Sequence, residues 1–342
     1  MSVGVLGSGS FGLAMVNILA QKNEVLLYAR RAEVVAEINT AHTLRGIKLS
    51  EQVRATHSLE EVCGECELIF PFVPSANFRG LMQSAAPHLS PHHILIHGTK
   101  GFDVTYTYQA AENQPKLRRS DVHTMSEVMV QETNVLRVGC LSGPNLSKEI
   151  LAGQPSGTVL ASSFEEVIKR GQAALQTDNF QVYGSPELIG AELAGAMKNT
   201  IAIASGMLAG RGLGHNIWAL LIARGVSEMV HLGAAMGASP QAFMGVAGIG
   251  DLVATASSSL SRNYQVGFRL AKGESLADIL GSMTEVAEGV RTTKIIKEVA
   301  DYYHVHIPIG EAIHGILYHN YSLEKAIQQL MTFPYNRDVD FI

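Results

Sequence analysis

The spacing of apolar residues at the start of the chain predicts a strand, a turn and a helix. Val3–Leu6 is a short apolar run that ends in glycines, and the apolar residues that follow, Phe11, Met15, Ile18 and Leu19, recur with helical spacing. We therefore expect a first strand that passes through a glycine-rich turn directly into a first helix.

Short runs of strand length continue through the first half of the chain, with helix-compatible segments between several of them. The predicted strands are Glu24–Tyr28, Glu67–Val73, His93–Gly98, Val138–Ser142, Gly157–Ser162 and Gln181–Tyr183. Pro71 lacks a backbone N–H and is tolerated at the first residue of a strand or in an edge strand. Because strands that alternate with helices form parallel βαβ units, we expect an α/β fold with an N-terminal Rossmann-like, doubly wound sheet.

The period of the apolar pattern changes near residue 186. Beyond it, long stretches such as Ile189–Leu208, Ile217–Met236 and Thr292–Tyr303 repeat about every 3.6 residues, and no further strand is predicted. We predict a dinucleotide-binding Rossmann-like domain over residues 1–185 and an all-helical substrate and catalytic domain over residues 186–342. The boundary depends only on this change of period, because no linker rich in proline or serine separates the halves.

The composition is that of an ordinary globular enzyme. Of 342 residues, 46% are hydrophobic and 17% are charged, which excludes a disordered chain, and this length favours two domains. The formal net charge is -5, and the lysines and arginines are spread along the sequence. Because no basic stripe is present to neutralise a phosphate backbone, we expect no nucleic-acid partner.

Several features favour the cytoplasm. The N-terminal residues lack the basic region, apolar run and cleavage site of a secretory signal. Three cysteines argue against a disulfide framework and agree with a reducing compartment. The most apolar stretch, Leu193–Gly210, contains Lys198, Asn199 and many small residues, which is typical of a buried helix. We therefore expect a cytoplasmic protein without membrane insertion.

The turn after the first predicted strand has the pattern GxGxxG. Gly7 permits the tight turn, Gly9 lets the backbone approach a pyrophosphate, and Gly12 allows close helix packing. Ser10 and Phe11 open the helix, whose N-terminus faces the phosphates. A purely structural glycine turn is the alternative, but the strand before it and the helix after it favour cofactor binding.

Two arginines, Arg30 and Arg31, follow the second predicted strand, where an NAD site would carry an acidic residue. Guanidinium groups suit the 2′-phosphate of NADPH through charge-assisted hydrogen bonds. The alternative is that both are solvated residues at a helix start. The sequence thus predicts that NADP (NADPH) is preferred, with NAD also accepted.

Taken with that turn, six further segments resemble the bacterial-type NAD(P)-dependent glycerol-3-phosphate dehydrogenase family. They occur in the family's order and approximate spacing, and the resemblance covers the chain from about Val3 to about Leu330. Only Met331–Ile342 is unlike the family pattern. The segments are His97–Gly101, Ser142–Glu149, Lys198–Ile203, Gly248–Leu252, Ser261–Asn263 and Glu288–Lys294.

The resemblance implies an enzyme that interconverts dihydroxyacetone phosphate and sn-glycerol 3-phosphate by hydride transfer with NAD(P)H. These two small molecules are then its substrate partners, and the implied role is supply of glycerol 3-phosphate for phospholipid synthesis. The sequence leaves the oligomeric state open, with a homodimer as one option.

Lys198 is the candidate for proton transfer and also contacts substrate. A single ammonium in a small-residue apolar helix should have its pKa lowered by desolvation, so that it can give and take a proton. A lysine that reaches solvent from a partly buried helix is the alternative, and the resemblance decides for catalysis. Asp251 could hydrogen-bond a substrate hydroxyl or hold Lys198, and its alternative is helix capping or turn chemistry.

Ser261, Arg262 and Asn263 precede a predicted helix and are candidates for the substrate phosphate. Hydroxyl and backbone donors at a helix start, with one guanidinium, match a phosphate monoester in geometry and sign. A helix N-cap is the alternative for this polar loop. Arg262 should also reach the cofactor. By resemblance, Lys100 contacts both cofactor and substrate, whereas its alternative is an exposed loop lysine.

Further site residues follow only from the resemblance. It implies substrate contacts at Gly143 and Asn145 and cofactor contacts at Ser147, Val286 and Glu288. The family most often reads GPSFA or GPTFA where this chain has Asn145 and Ser147 in the third and fifth positions. Asn145 still donates and accepts hydrogen bonds, so its contacts and those of Ser147 are left open.

Cys63 and Cys66 have CxxC spacing, which is found in zinc and redox sites. No second pair follows, and no histidine pair has zinc-module spacing, so a structural or incidental role is favoured. His92, His93 and His97 alternate across a predicted strand without nearby carboxylates. We therefore expect no metal.

Two other functions fit parts of the pattern. A reductase of hydroxy acids or of the ketopantoate type also joins a nucleotide-binding domain to a helical one, but its substrate would need carboxylate clamps. A regulatory protein that senses a dinucleotide would keep the turn without needing Lys198, Asp251 and the phosphate cluster together.

Overall fold

The computed structural model describes residues 2–105, 117–332 and Asp338, and these form two compact units. The first unit comprises the described residues of Met1–Asp103 and Thr124–Leu188, and the second those of Val104–His123 and Ile189–Ile342. The domain boundary expected at residue 185 stays a prediction. The sequence pattern gave no sign that part of the first half groups with the helical unit.

An eight-stranded sheet forms the centre of the first unit. Its order is β8-β7-β6-β5-β4-β1-β2-β3, so the order reverses between β1 and β4, as in doubly wound dinucleotide-binding sheets. The predicted fold class is confirmed, and each predicted strand overlaps a strand of the sheet. The strands are β1 Ser2–Leu6, β2 Glu24–Tyr28, β3 Val53–Thr56, β4 Leu68–Pro71, β5 Ile94–His97, β6 Arg137–Ser142, β7 Ser156–Ala161 and β8 Phe180–Ser185.

The expectation of parallel pairing holds for β1 to β6 and is wrong for β7. All pairs among the first six strands are parallel, whereas β7 runs antiparallel to β6, with Cys140 opposite Ala161 and Ser142 opposite Val159. β8 then pairs in parallel with β7. The connection over residues 143–155 returns the chain beside the strand it has just left, which an antiparallel pair permits.

Two details of the sheet differ from the sequence analysis. Strand β3 was not predicted, because its four residues include Arg54, which points outward and pairs with Glu65 at 2.7 Å. Pro71 ends a central strand and neither begins a strand nor lies at an edge, so that expectation is wrong. It is tolerated because β4 pairs with β5 only through Leu68 and Ile69, before Pro71 is reached.

Helices cover both faces of the sheet. Val3 and Val5 of β1 contribute to one hydrophobic cluster with Leu13, whereas Leu26 and Leu95 contribute to the other with other helices. The helices of this unit are α1 Ser10–Leu19, α2 Ala32–Ala41, α3 Leu59–Glu65, α4 Ser75–Ala85, α5 Met125–Glu132, α6 Ser147–Leu151 and α7 Glu165–Leu175, with α8 beginning at its end.

The second unit is helical from residue 189 to residue 332, as predicted. Short 3₁₀ turns and a π-helical turn, Val246–Gly250, occur between its helices. The only strands of the described chain outside the main sheet are two short pairs near residues 43–48 and 103–123. The helices are α8 Leu188–Gly210, α9 His215–Ala235, α10 Asp251–Ser257, α11 Arg262–Ala271, α12 Leu276–Ser282, α13 Glu288–Tyr303, α14 Pro308–His319 and α15 Leu323–Thr332.

Helix α8 is buried over nearly its whole length, which confirms the buried helix predicted for its apolar stretch. It packs backbone to backbone on α11. A Cβ built on Gly206 would lie 1.9 Å from the carbonyl oxygen of Tyr264, and one on Gly267 would lie 1.8 Å from that of Ile203. Any side chain at these two glycines would therefore separate the helices.

One described helix, α9, has the length and hydropathy of a membrane span, and 56% of its most apolar window is buried. The bent pair formed by Pro240–Ser257 and Arg262–Ala271 passes the same test when taken together. Core helices of globular proteins pass the same test.

Glu228 of α9 has a buried carboxyl group that holds the start of α14. Its two oxygens accept hydrogen bonds from the backbone N–H groups of Ile309, at 2.5 Å, and Gly310, at 3.0 Å. These bonds satisfy two of the amide groups that a helix N-terminus leaves unpaired. Burial nevertheless raises the pKa of Glu228 to about 8, because desolvation outweighs the two backbone hydrogen bonds.

This raised pKa predicts a pH-dependent stability. The folded protein keeps the proton of Glu228 up to a pH of about 8, whereas the unfolded chain releases it near the ordinary glutamate pKa of 4.5. The contribution of Glu228 to the free energy of unfolding should therefore be fully present below pH 4.5. It should fall by up to about 5 kcal/mol as the pH rises to about 8. Melting temperatures of the wild type and Glu228→Gln between pH 5 and 9 measure this. An equal pH slope in both proteins would contradict it.

Candidate active site

The glycine-rich turn lies at the carboxyl end of β1, and each of its three glycines meets a different spatial demand. Gly7 has a φ of +126°, and a Cβ there would lie 2.4 Å from the carbonyl oxygen of Phe72. A Cβ on Gly12 would lie 2.3 Å from the carbonyl oxygen of Gly7, whereas one on Gly9 would meet nothing within 4 Å. The first and third glycines are thus required by the protein's own packing. The second leaves space open beside the backbone.

The residues around Gly9 fit a dinucleotide phosphate. Gly9 is the N-cap of α1 and provides no side-chain cap, so that backbone N–H groups and the positive end of the helix dipole are presented at this open space. Phe11, in the first turn of α1, packs edge-to-face on Phe72 with ring centroids 5.1 Å apart. Ser10 begins α1.

Arg30 and Arg31 lie between β2 and α2, and both are exposed. Arg31 is the N-cap of α2, in extended backbone conformation. Within the part of the chain that the structure describes, neither guanidinium takes part in an ion pair, and both remain accessible to an anion. Their role in cofactor selection stays a prediction.

Lys100 and Gly143 follow neighbouring strands of the sheet. Cys140 of β6 pairs with His97 of β5, which brings the ends of the two strands together. The ammonium of Lys100 donates a hydrogen bond to the carbonyl oxygen of Gly143 at 2.9 Å. The two predicted substrate contacts are therefore neighbours at the carboxyl edge of the sheet, where doubly wound folds bind ligands.

Asn145 is oriented by a residue that the sequence analysis did not identify. Its Nδ2 donates to the hydroxyl of Thr158 at 3.0 Å, and that hydroxyl donates in turn to the carbonyl oxygen of Ser142 at 3.2 Å. The Oδ1 of Asn145 is buried and has no hydrogen-bond partner among the described residues. The amide thus presents an acceptor. Ser147 is the first residue of α6.

In the second unit, Lys198 lies in the middle of α8 and is only 4% exposed. Its ammonium donates a hydrogen bond to Oδ1 of Asp251 at 2.7 Å and another to the hydroxyl of Thr255. Thr255 also donates to Asp251 at 3.2 Å. Asp251 therefore holds Lys198, which was one of the two roles expected for it.

The expected lowering of the lysine pKa stays a prediction. Burial of Lys198 disfavours its ammonium, whereas the carboxylate of Asp251 beside it favours the charged form.

Thr255 was missed, although a signal was present in the sequence. It follows Asp251 by four residues, and residues at this spacing share one face of a helix.

Asp251 begins α10 directly after the π-helical turn Val246–Gly250. Gly248 within the turn lies against the backbone of Phe243, because a Cβ there would be 2.0 Å from the carbonyl oxygen of that residue. Single π-turns are frequent at functional sites. The turn sets the position from which the carboxylate reaches the lysine.

Ser261, Arg262 and Asn263 form the start of α11. Ser261 is its N-cap, with the hydroxyl accepting from the N–H of Tyr264 at 3.3 Å, so the capping alternative applies to this residue. The carbonyl oxygen of Ser261 accepts from the N–H of Gln265 at 3.0 Å. The backbone N–H groups of Arg262 and Asn263 have no intrahelical partner, which leaves two donors beside the guanidinium.

The start of α13 is hydrogen-bonded to the start of α11. Oδ1 of Asn263 accepts a hydrogen bond from the N–H of Gly289 at 2.9 Å, which directs the amide's own donor elsewhere. Glu288 is the first residue of α13, and Val286, two residues earlier, is 53% exposed. The cofactor contacts of Val286 and Glu288 stay predictions.

The CxxC pair has the surroundings of structural cysteines. Cys63 and Cys66 are buried in a hydrophobic cluster, and desolvation raises the pKa of Cys63 to about 11 and that of Cys66 to about 12. Both thiols therefore resist forming the thiolate that redox and zinc chemistry require. No metal-binding group of histidine, cysteine or acidic residues is found within residues 2–105 and 117–332, and the expected absence of metal stays a prediction.

A glycine turn at the start of a helix on a doubly wound sheet, and a buried lysine held by a carboxylate, together define a nucleotide-dependent dehydrogenase. Two family models match the chain, the N-terminus of NAD-dependent glycerol-3-phosphate dehydrogenase over residues 2–168 and its C-terminus over residues 187–328. The chain therefore belongs to the NAD-dependent glycerol-3-phosphate dehydrogenase family, as the resemblance implied.

Relatives match over nearly the whole chain. The glycerol-3-phosphate dehydrogenase (NAD(P)+) of Alcanivorax borkumensis is 39% identical over 98% of this chain and 95% of its own. That of Saccharophagus degradans is 38% identical over 99% and 92%. A crystal structure of glycerol-3-phosphate dehydrogenase from Coxiella burnetii has a TM-score of 0.86 at 28% identity, covering 97% of this chain and 98% of that one.

The geometry of the turn predicts that two of its glycines respond differently to a methyl group. Gly9→Ala should fold normally, because the methyl meets no protein atom, yet raise the Kd of NADPH about tenfold or more by displacing a charged phosphate from its donors. Gly12→Ala should lower both the melting temperature and the affinity. Thermal denaturation and NADPH fluorescence titration measure the pair. An unchanged Kd in Gly9→Ala would remove that glycine from the cofactor site.

Proposed function

We propose that this protein interconverts dihydroxyacetone phosphate and sn-glycerol 3-phosphate with NAD(P)H, and that it supplies glycerol 3-phosphate for phospholipid synthesis. The observation that carries the proposal is the buried Lys198 ammonium, 2.7 Å from Asp251, in a chain of this family. Loss of NADPH or NADH absorbance on addition of dihydroxyacetone phosphate tests it directly. Activity with an oxo acid instead would favour a ketopantoate-type reductase.

In the proposed reaction Lys198 handles the proton. In the direction of reduction it gives a proton to the oxygen at C2, and in the direction of oxidation it takes that proton back. A dinucleotide held at the turn Gly7–Gly12 would supply the hydride. Asp251 and Thr255 hold the ammonium of Lys198 in one orientation.

The phosphate of the substrate is assigned to the start of α11. Arg262 and the two amides at the start of α11 supply a positive charge and hydrogen-bond donors, and the Asn263 side chain is fixed by Gly289. In the first unit, Lys100, Gly143 and Asn145 are proposed to contact the substrate, and Lys100 the cofactor as well. Lys100 and Gly143 support this by their direct contact, and Asn145 by its unpaired buried oxygen.

For the cofactor we propose NADPH in preference to NADH. The turn Gly7–Gly12 would hold the pyrophosphate, with Arg30 and Arg31 on the 2′-phosphate. Ser147, Arg262, Val286 and Glu288 complete the proposed cofactor contacts. The accessible guanidinium groups after β2 support the preference, because they suit a dianionic group better than a ribose hydroxyl.

The role of Lys198 predicts a loss of chemistry without a loss of binding. Lys198→Met should be less stable than the wild type, because Asp251 loses its buried partner. The folded variant should still bind NADPH nearly as the wild type does and lose on the order of a hundredfold or more in kcat, the usual scale of general acid-base catalysis. Lys297→Met is the control, because Lys297 also pairs with an aspartate, Asp301, but these side chains are 24% and 48% accessible. Stopped-flow and steady-state rates measure both. A kcat near the wild-type value in Lys198→Met would mean that another group moves the proton.

The cofactor preference makes a separate prediction. Replacing Arg30 and Arg31 together by alanine should reduce the ratio of kcat/KM for NADPH to that for NADH by about tenfold or more, since charge-assisted hydrogen bonds to the 2′-phosphate are lost. The rate with NADH serves as the internal control and should hardly change. If the double variant kept the wild-type ratio, cofactor selection would lie elsewhere.

We expect a cytoplasmic enzyme with small-molecule partners, without nucleic acid and without membrane insertion, and with a homodimer as one option for its assembly. The net charge of -5 supports the absence of nucleic acid. Light scattering of the purified protein reports the assembly.

A further inference from the structure

We propose that Glu285 competes with the substrate phosphate for the guanidinium of Arg262 and thereby lowers the substrate affinity of the enzyme. The inference rests on the proposed function, because it concerns the phosphate site at the start of α11. It adds a residue that touches neither the reacting atoms nor the phosphate and that acts through Arg262.

The carboxylate of Glu285 lies beside Arg262, the cation that is proposed to bind the phosphate. Oε2 of Glu285 accepts a hydrogen bond from NH1 of Arg262 at 3.0 Å. Glu285 lies in the segment between α12 and α13, and Asn263 fastens the end of that segment through Gly289. The side chain of Glu285 therefore stays beside the start of α11 and is not carried away on a distant loop.

The carboxylate of Glu285 and the substrate phosphate are both anions, and they compete for the guanidinium of Arg262. A guanidinium presents its donors in one plane, and those engaged by Glu285 are not available to a phosphate oxygen. If the pair stayed closed, the carboxylate would instead repel the dianionic phosphate. In either case binding is weakened by the charge of Glu285. The pair is partly exposed, with side chains 47% and 34% accessible, so water and salt moderate the effect.

The same helix provides a matched control. Arg269, in the last turn of α11, pairs with Glu274 at 2.5 Å, and these side chains are 28% and 43% exposed. The chemistry and the exposure are comparable. However, this pair lies at the opposite end of the helix from the unpaired amides. Removal of Glu274's charge should thus leave substrate binding unchanged.

The test compares Glu285→Gln, Glu285→Asp and Glu274→Gln. Glutamine can still accept a hydrogen bond from Arg262 but carries no charge, so Glu285→Gln should lower the KM for dihydroxyacetone phosphate about two- to fivefold, the scale of an exposed ion pair. Its kcat should not change. Glu285→Asp keeps the charge and should stay close to the wild type. The difference between Glu285→Gln and the wild type should shrink in high salt.

Two further measurements separate competition from a structural effect. Inorganic phosphate should inhibit Glu285→Gln more strongly by the same factor, whereas the KM for dihydroxyacetone, which lacks a phosphate, should not move. An unchanged or raised KM for dihydroxyacetone phosphate in Glu285→Gln, or an equal decrease in Glu274→Gln, would overturn the proposal.

Failure of the proposed function would look different. A protein that reduces no dihydroxyacetone phosphate contradicts the proposed reaction, but calorimetric titration with inorganic phosphate still tests Glu285 directly. Tighter phosphate binding by Glu285→Gln than by the wild type would then support competition at Arg262, and equal binding would contradict it.

Discussion

The second unit is arranged around a buried ion pair, that of Lys198 and Asp251. A charge in the middle of a buried helix is tolerated only where a partner of opposite charge and further hydrogen bonds replace the lost water. Asp251 supplies the charge and Thr255 the hydroxyl. The π-helical turn and the close contact at Gly248 are needed to bring the carboxylate there. Loss of either partner would leave a buried charge unpaired, which costs about 3–5 kcal/mol.

In the first unit the corresponding constraint is backbone space. Gly7 and Gly12 are held by contacts within the protein, whereas Gly9 is surrounded by nothing that its missing side chain would touch. Because Gly9 lies in the pattern GxGxxG at the start of α1, we propose that a bound dinucleotide sets the requirement for glycine there. The contrast explains why a pattern of three glycines carries more information than any one of them.

Most of the fold could be predicted from the sequence, because apolar periodicity reports burial. It does not report the direction of a strand, and for that reason the antiparallel pairing of β7 with β6 was not predicted. Strand β3 escaped because Arg54 interrupts its four residues. Within the site, the resemblance pointed to Lys198 and Asp251, and helical spacing could have added Thr255. Thr158 and Glu285 could not be found, since each meets its partner only through the tertiary fold.

The glycine contact between α8 and α11 also fixes how the two helices lie against each other. Gly206 and Gly267 let the two backbones touch, so the helices cannot slide or separate without losing that contact. Lys198 is carried by one helix and the start of the phosphate site by the other. In the proposed reaction, this main-chain contact therefore fixes the distance between the site of the substrate's phosphate and the site of its carbonyl. A phosphorylated ketone with one more carbon between its phosphate and its carbonyl would present that carbonyl out of register with the lysine.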